Sequence, residues 1–143
     1  MIMLSWGKTL VILWILILLH SSTQFIGRID GYFNPVIDNF TIERIQNYKT
    51  EYYSGILIWG SFDKLRSCSF KDNYGIYKTN SSDYVTIPIE FLESVKVRTI
   101  GSHKFGPWFI GLEKEDLAKT KFYAVHDCSH LWDTITPMTI KVE

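Results

Sequence analysis

Residues 84–91 read Tyr-Val-Thr-Ile-Pro-Ile-Glu-Phe (YVTIPIEF), and their alternation decides the fold class. Val85, Ile87, Ile89 and Phe91 fall on one side, Thr86 and Glu90 on the other. Strand side chains alternate with period two, so this stretch predicts a half-buried β-strand. Pro88 has no N–H to give to a ladder, which puts the strand at an edge or beside a bulge.

Working outward, the upstream chain repeats the theme. Thr79–Asp83 (TNSSD) is a polar loop. Before it, residues 75–78 form a returning strand, and residues 65–70 a strand that carries Cys68 and stops at a Lys71-Asp72-Asn73 turn. Gly55–Phe62 (GILIWGSF) is a buried strand in which Gly60 marks a bulge. Phe40–Tyr48 begins the sheet. Downstream, Val95–Ile100 (VKVRTI) alternates again, and Gly101–Trp108 (GSHKFGPW) reads as a connecting loop anchored by Trp108 and Phe109. Lys114–Lys119 is a helical turn. Residues 121–128 and 137–142 supply the last strands, with Phe122, Ala124, His126 and Cys128 on one face.

Short strands at this spacing predict a mainly β fold, a small antiparallel β-sandwich or barrel-like domain. An immunoglobulin domain needs a Trp about a dozen residues after its first Cys, where Tyr74 and Tyr77 stand instead.

In front of this domain lies an N-terminal transmembrane helix. Residues 9–19 are uninterrupted apolar chain, and Met1–Leu4 and Trp6 extend the stretch around Lys8, the sole charge before His20. Eleven apolar residues alone suit a signal peptide, since a full span needs about 20. However, Lys8 can snorkel to an interface, and Ser21 and Ser22 make a poor cleavage site. Residues 1–27 are therefore read as a membrane anchor, or else a signal peptide. Residues 28–39, punctuated by Gly31 and Pro35, read as a linker, and residues 40–143 as one exported β-rich domain. Lys8 before the run sets a small positive-inside bias. The expected placement is single-pass in the inner (cytoplasmic) membrane, N-terminus inside, C-terminal domain exported.

Lys plus Arg and Asp plus Glu each total 15, so the formal charge is zero. No basic surplus points to nucleic acid. The two cysteines, Cys68 and Cys128, both lie in the exported part. They suit one disulfide in an oxidising compartment, the alternative being two buried free thiols.

The candidate site is His126-Asp127-Cys128-Ser129-His130-Leu131-Trp132, with His103 upstream. His126 and His130 have the i, i+4 spacing that pairs imidazoles on a helix for a metal. Yet the residues before His126 alternate as a strand, and no Glu follows it as a metalloprotease motif requires. A zinc site on His103, His126 and His130 is the lesser reading. A Cys128 nucleophile is weaker still, because a catalytic thiolate must stay reduced. No catalytic residue and no cofactor is expected. A candidate interaction surface combines Trp108, Phe109, His126, His130 and Trp132.

The anchor together with Arg66-Ser67-Cys68, Phe105-Gly106-Pro107-Trp108 and the run from His126 to Thr136 resembles small single-pass membrane proteins of uncharacterised function from tailed phages and bacterial prophages. The resemblance implies a bacterial or phage setting and a periplasmic domain, and it makes the cysteine pair a shared framework. Two functions stay open. One is a non-enzymatic anchored domain binding an envelope or protein partner. The other is a periplasmic metal-binding protein or hydrolase built on His103, His126 and His130.

Overall fold

The strand expected at residues 84–91 is one of eight in a computed structural model that describes residues 6–94 and 97–142. After helix α1 (Trp6–Phe33) come β1 (Ile37–Lys49), β2 (Ser54–Lys64), β3 (Ser69–Lys78), β4 (Tyr84–Phe91) and β5 (Gly101–Ile110). A 3-10 turn (Lys114–Lys119) leads into β6 (Thr120–Asp127), β7 (Asp133–Met138) and the two-residue β8 (Lys141–Val142). The protein is thus mainly β behind one apolar helix, in line with the fold class expected from sequence.

The strands form one curled sheet in the order β7-β6-β3-β4-β5-β2-β1-β8. Neighbours from β7 to β1 are all antiparallel. With seven alternating strands, the first and last of the row run the same way, so no antiparallel pair can close it. Instead the chain bends after Met138, and β8 pairs with β1 in parallel, Thr41 opposite Lys141 and Ile42 opposite Val142. A single piece of chain, residues 133–142, therefore serves both ends of the barrel-like curl.

Inside the curl, Ile42, Ile56, Ile58 and Ile110 are fully enclosed, with Phe62, Ile87, Ile89 and Phe122 beside them. Phe105 stacks on Phe40 at 4.8 Å and meets Trp108 at 4.1 Å between ring centres. In β4, Ile87 and Ile89 are buried as the alternation predicts, whereas Val85 lies beyond the core and is 46 % exposed. The bulge expected in β2 at Gly60 lies instead in its partners: both ladders shift register beside Gly60, but the extra residues belong to β1 and β5. A Cβ at Gly60 would collide with the Thr41 carbonyl oxygen and the Phe105 ring.

Four expectations are corrected. Residues 28–39 are not a linker: α1 continues to Phe33, and β1 starts at Ile37. Gly31 does not break the helix but lets it approach β7, where a Cβ would strike the backbone of Ile135; Gly27 does the same against Asp133. Residues 101–108 are not a loop but most of β5, whose Gly106 adopts φ 111° before a cis Pro107. Lys71-Asp72-Asn73 is not a turn but part of β3, with a bulge between Phe70 and Asp72 opposite His126 and Val125 of β6, while residues 65–68 are irregular. Residues 97–100 form no strand, and Val95 and Lys96, which begin that expected strand, lie outside the described residues.

α1 has two different halves. Residues 7–22 are exposed throughout, including the apolar run Leu10–Leu19. From Thr23 on, one face (Thr23, Gly27, Asp30 and Gly31) turns toward the sheet. By length and composition α1 is able to cross a membrane.

Candidate functional site

The segment from β6 to β7 holds the residues singled out in the sequence, and the structure sends them to two sides of a disulfide. Along β6, Phe122, Ala124 and His126 point inward while Tyr123, Val125 and Asp127 point outward. Cys128 follows at once and is bonded to Cys68, with Cα atoms 4.8 Å apart and 60 residues between them in sequence. The free-thiol alternative is set aside.

On the inner side, His126 is 2 % exposed and lines a cavity of about 360 Å³ at one end of the curl. Phe62, Phe70, Phe91 and Trp108 form its apolar wall. Phe91 lies 4.6 Å from Trp108 and 5.4 Å from Phe70, and Phe70 meets the His126 ring edge-on at 5.7 Å.

Three charged side chains complete the lining. Lys64 is inside because β2 keeps its period, Ile56, Ile58, Phe62 and Lys64 sharing the inward face. Its Nζ donates to the carbonyls of Cys68 (2.8 Å) and Arg98 (2.7 Å), so the ammonium braces the loop before the disulfide. Burial pushes its pKa down, and the neighbouring Arg98 charge adds to this. Glu93 Oε1 accepts hydrogen bonds from Trp108 Nε1 (3.0 Å), the Gly106 amide (3.2 Å) and Arg98 Nη2 (2.9 Å). The Arg98 guanidinium also sits 5.0 Å over the Phe62 ring.

Two polar atoms of residues that line the cavity are enclosed and lack partners. His126 Nδ1 and Arg98 Nη1 are buried with no hydrogen bond among the described residues. Burial, reinforced by the Lys64 and Arg66 charges, holds the His126 pKa down at about 4, so its imidazole is neutral near pH 7.

On the outer side, Ser129, His130, Leu131 and Trp132 face His20, Thr23 and Gln24 of α1 across a groove of about 590 Å³. Lys71 and Asp133 form an ion pair of 2.6 Å on its wall.

The interaction surface expected from sequence is therefore not one surface. Trp108 is core, 5 % exposed, and His126 is enclosed. Phe109 alternates to the opposite face of β5, edge-on to Tyr48 at 5.7 Å. Only His130 and Trp132 share a groove. The metal reading is corrected as well. His103 Nε2 is 2.7 Å from the Thr99 carbonyl oxygen, His126 is in the cavity and His130 in the groove. Among the described residues no three His, Cys, Asp or Glu side chains converge as metal ligands.

Sequence reasoning passed over Lys64, Glu93 and Arg98. For Lys64 a signal exists, its place two residues after Phe62 on the inward face of an apolar strand. Glu93 leaves no such trace, and the alternation of residues 95–100 puts Arg98 on the polar face of a strand that residues 97–100 do not form. Comparison with protein-family models, curated proteins and solved structures found no match.

Proposed function

We propose that the protein is a membrane-anchored, extracytoplasmic binding domain without catalytic activity of its own. The observation that carries this reading is the two-part helix. Residues 9–19 present an unbroken apolar surface to their surroundings, while residues 23–33 pack one face onto a disulfide-bonded β domain with a ready-formed cavity. An exposed run of this kind is costly in water and stable in lipid. A disulfide suits the oxidising side of a membrane. The resemblance to phage and prophage membrane proteins would make that side the periplasm, the partner an envelope component or envelope protein, and the first residues cytoplasmic.

No observation favours the hydrolase or metal-binding alternative, since its three histidines are apart and both cysteines are bonded. The test is topology in a bacterial host. A C-terminal alkaline phosphatase fusion, active only after export, is expected to be active, and the protein to stay in membranes after alkaline extraction. An inactive phosphatase fusion beside a fluorescent cytoplasmic reporter fusion would reverse the orientation and end the proposal.

A further inference from the structure

We propose that the cavity beside the Cys68–Cys128 disulfide binds a small aromatic carboxylate, its ring against Phe70, Phe91 and Trp108 and its carboxylate at Arg98 and His126. This names the ligand class for the binding domain proposed above and rests on that reading.

The shape comes first. A volume of about 360 Å³ is at the small end of pockets that hold organic ligands. The aromatic side chains of Phe70, Phe91 and Trp108 are already in mutual contact, 4.6 Å and 5.4 Å between centres. Their order does not wait for a ligand, and a flat apolar body is what such a wall accepts. Phe70 and Val97 are exposed at its rim, so the space is reachable from solvent.

Charge decides the other end. Lys64 and Arg98 bring two positive charges to the lining and Glu93 one negative, and His126 is neutral, which leaves one positive charge unbalanced. Glu93 is committed to Arg98 Nη2, the Gly106 amide and Trp108 Nε1. Arg98 Nη1 remains buried and without a partner among the described residues, as does His126 Nδ1. Buried polar groups are nearly always paired, and each unpaired one in a folded protein asks for a partner. A carboxylate in the cavity answers both once the Arg98 and His126 side chains turn toward it, because a guanidinium and the N–H of a neutral imidazole each donate to a carboxylate. A cation would meet the surplus charge, and a neutral ligand would leave it unbalanced.

The experiment uses the full chain in lipid nanodiscs and equilibrium binding of three probes of one shape: 2-naphthoate, 2-naphthylmethanol and 2-naphthylmethylamine, each corrected for binding to empty nanodiscs. The expected result is naphthoate bound roughly tenfold or more tightly than the alcohol, the gain of one charge-assisted hydrogen bond, and no binding of the amine. Arg98→Gln should bring naphthoate down to the level of the alcohol, with retention of the disulfide confirming that the variant folds. Equal binding of naphthoate and alcohol, tighter binding of the amine, or no binding above empty nanodiscs would each overturn the inference. The probe series on the unaltered protein decides even if the variant misfolds. An exported domain that ignores naphthoate overturns this inference alone, whereas a cytoplasmic domain overturns the function proposed above whatever the probe does.

Discussion

Thr134 Oγ1, on β7, donates a 2.6 Å hydrogen bond to the carboxylate of Asp30, near the end of α1 and 104 residues away in sequence. Arg66 Nη1 reaches the same carboxylate oxygen at 3.1 Å and also donates to the Asn34 carbonyl at 2.7 Å. Thr134 is fully buried. The helix, the loop before the disulfide and the last long strand thus meet at one carboxylate.

Asp30→Ala removes the acceptor from a buried hydroxyl and from a half-buried guanidinium. Unfolding in detergent is expected to show a loss of about 2 kcal/mol, and residues 23–33 should become open to protease. A variant as stable and as resistant as the parent would deny the carboxylate its role as a clamp.

Gly31→Ala gives a sign test. Alanine in a helix is favoured over glycine by about 1 kcal/mol. At Gly31 the added Cβ meets the Ile135 backbone, and overpacking of this kind costs about 1–3 kcal/mol. Net destabilisation is expected there, while Gly7→Ala, with open space around it, should be neutral or slightly stabilising. Thermal unfolding of the two variants reads the difference; equal midpoints would mean that the helix does not approach the strand so closely.

Cys128→Ser should lower stability by on the order of 4 kcal/mol in the chain-entropy view of a 60-residue loop. In the unaltered protein, alkylation is expected only after reduction. Labelling of both thiols without reductant would show that the bond does not form in the cell.

Acid should weaken the fold through His126. Its pKa is about 4 when folded against an ordinary value of 6.5, so between these the unfolded chain holds a proton that the folded chain does not. Stability is then expected to be whole above about pH 6.5 and to fall as pH drops, by about 3 kcal/mol at pH 4. Lys64 and Arg66 sharpen this, since both oppose a charged imidazole. His126→Leu keeps the apolar volume and should flatten the profile over that range; an unchanged slope would assign the acid sensitivity to the carboxylates.

What the sequence made legible follows from periodicity. Strand β4 could be read because Ile87 and Ile89 alternate with polar neighbours, and the cysteine pair because two cysteines allow one bond. The misreadings share a cause. Gly31, Gly106 and Pro107 look like punctuation, and a glycine needed for close approach is written with the same letter as one needed for a turn. Gly31 is spaced four residues from Gly27 on the face that meets β7, a pairing that carries meaning only once the strand is in place. The cavity was not legible because Phe62, Phe91, Trp108 and His126 come from four strands, and only the sheet order gathers them.

α1 is one helix of 28 residues, about 42 Å at 1.5 Å per residue, with no break between its exposed half and the half bound to β7. A domain held in this way has no leash. In the membrane-anchored reading proposed above, it cannot search the space over a bilayer as a tethered module does, and its tilt and height follow those of the helix. The cavity mouth would then be offered at a set distance and bearing from the lipid surface, and whatever it received would have to come to that address.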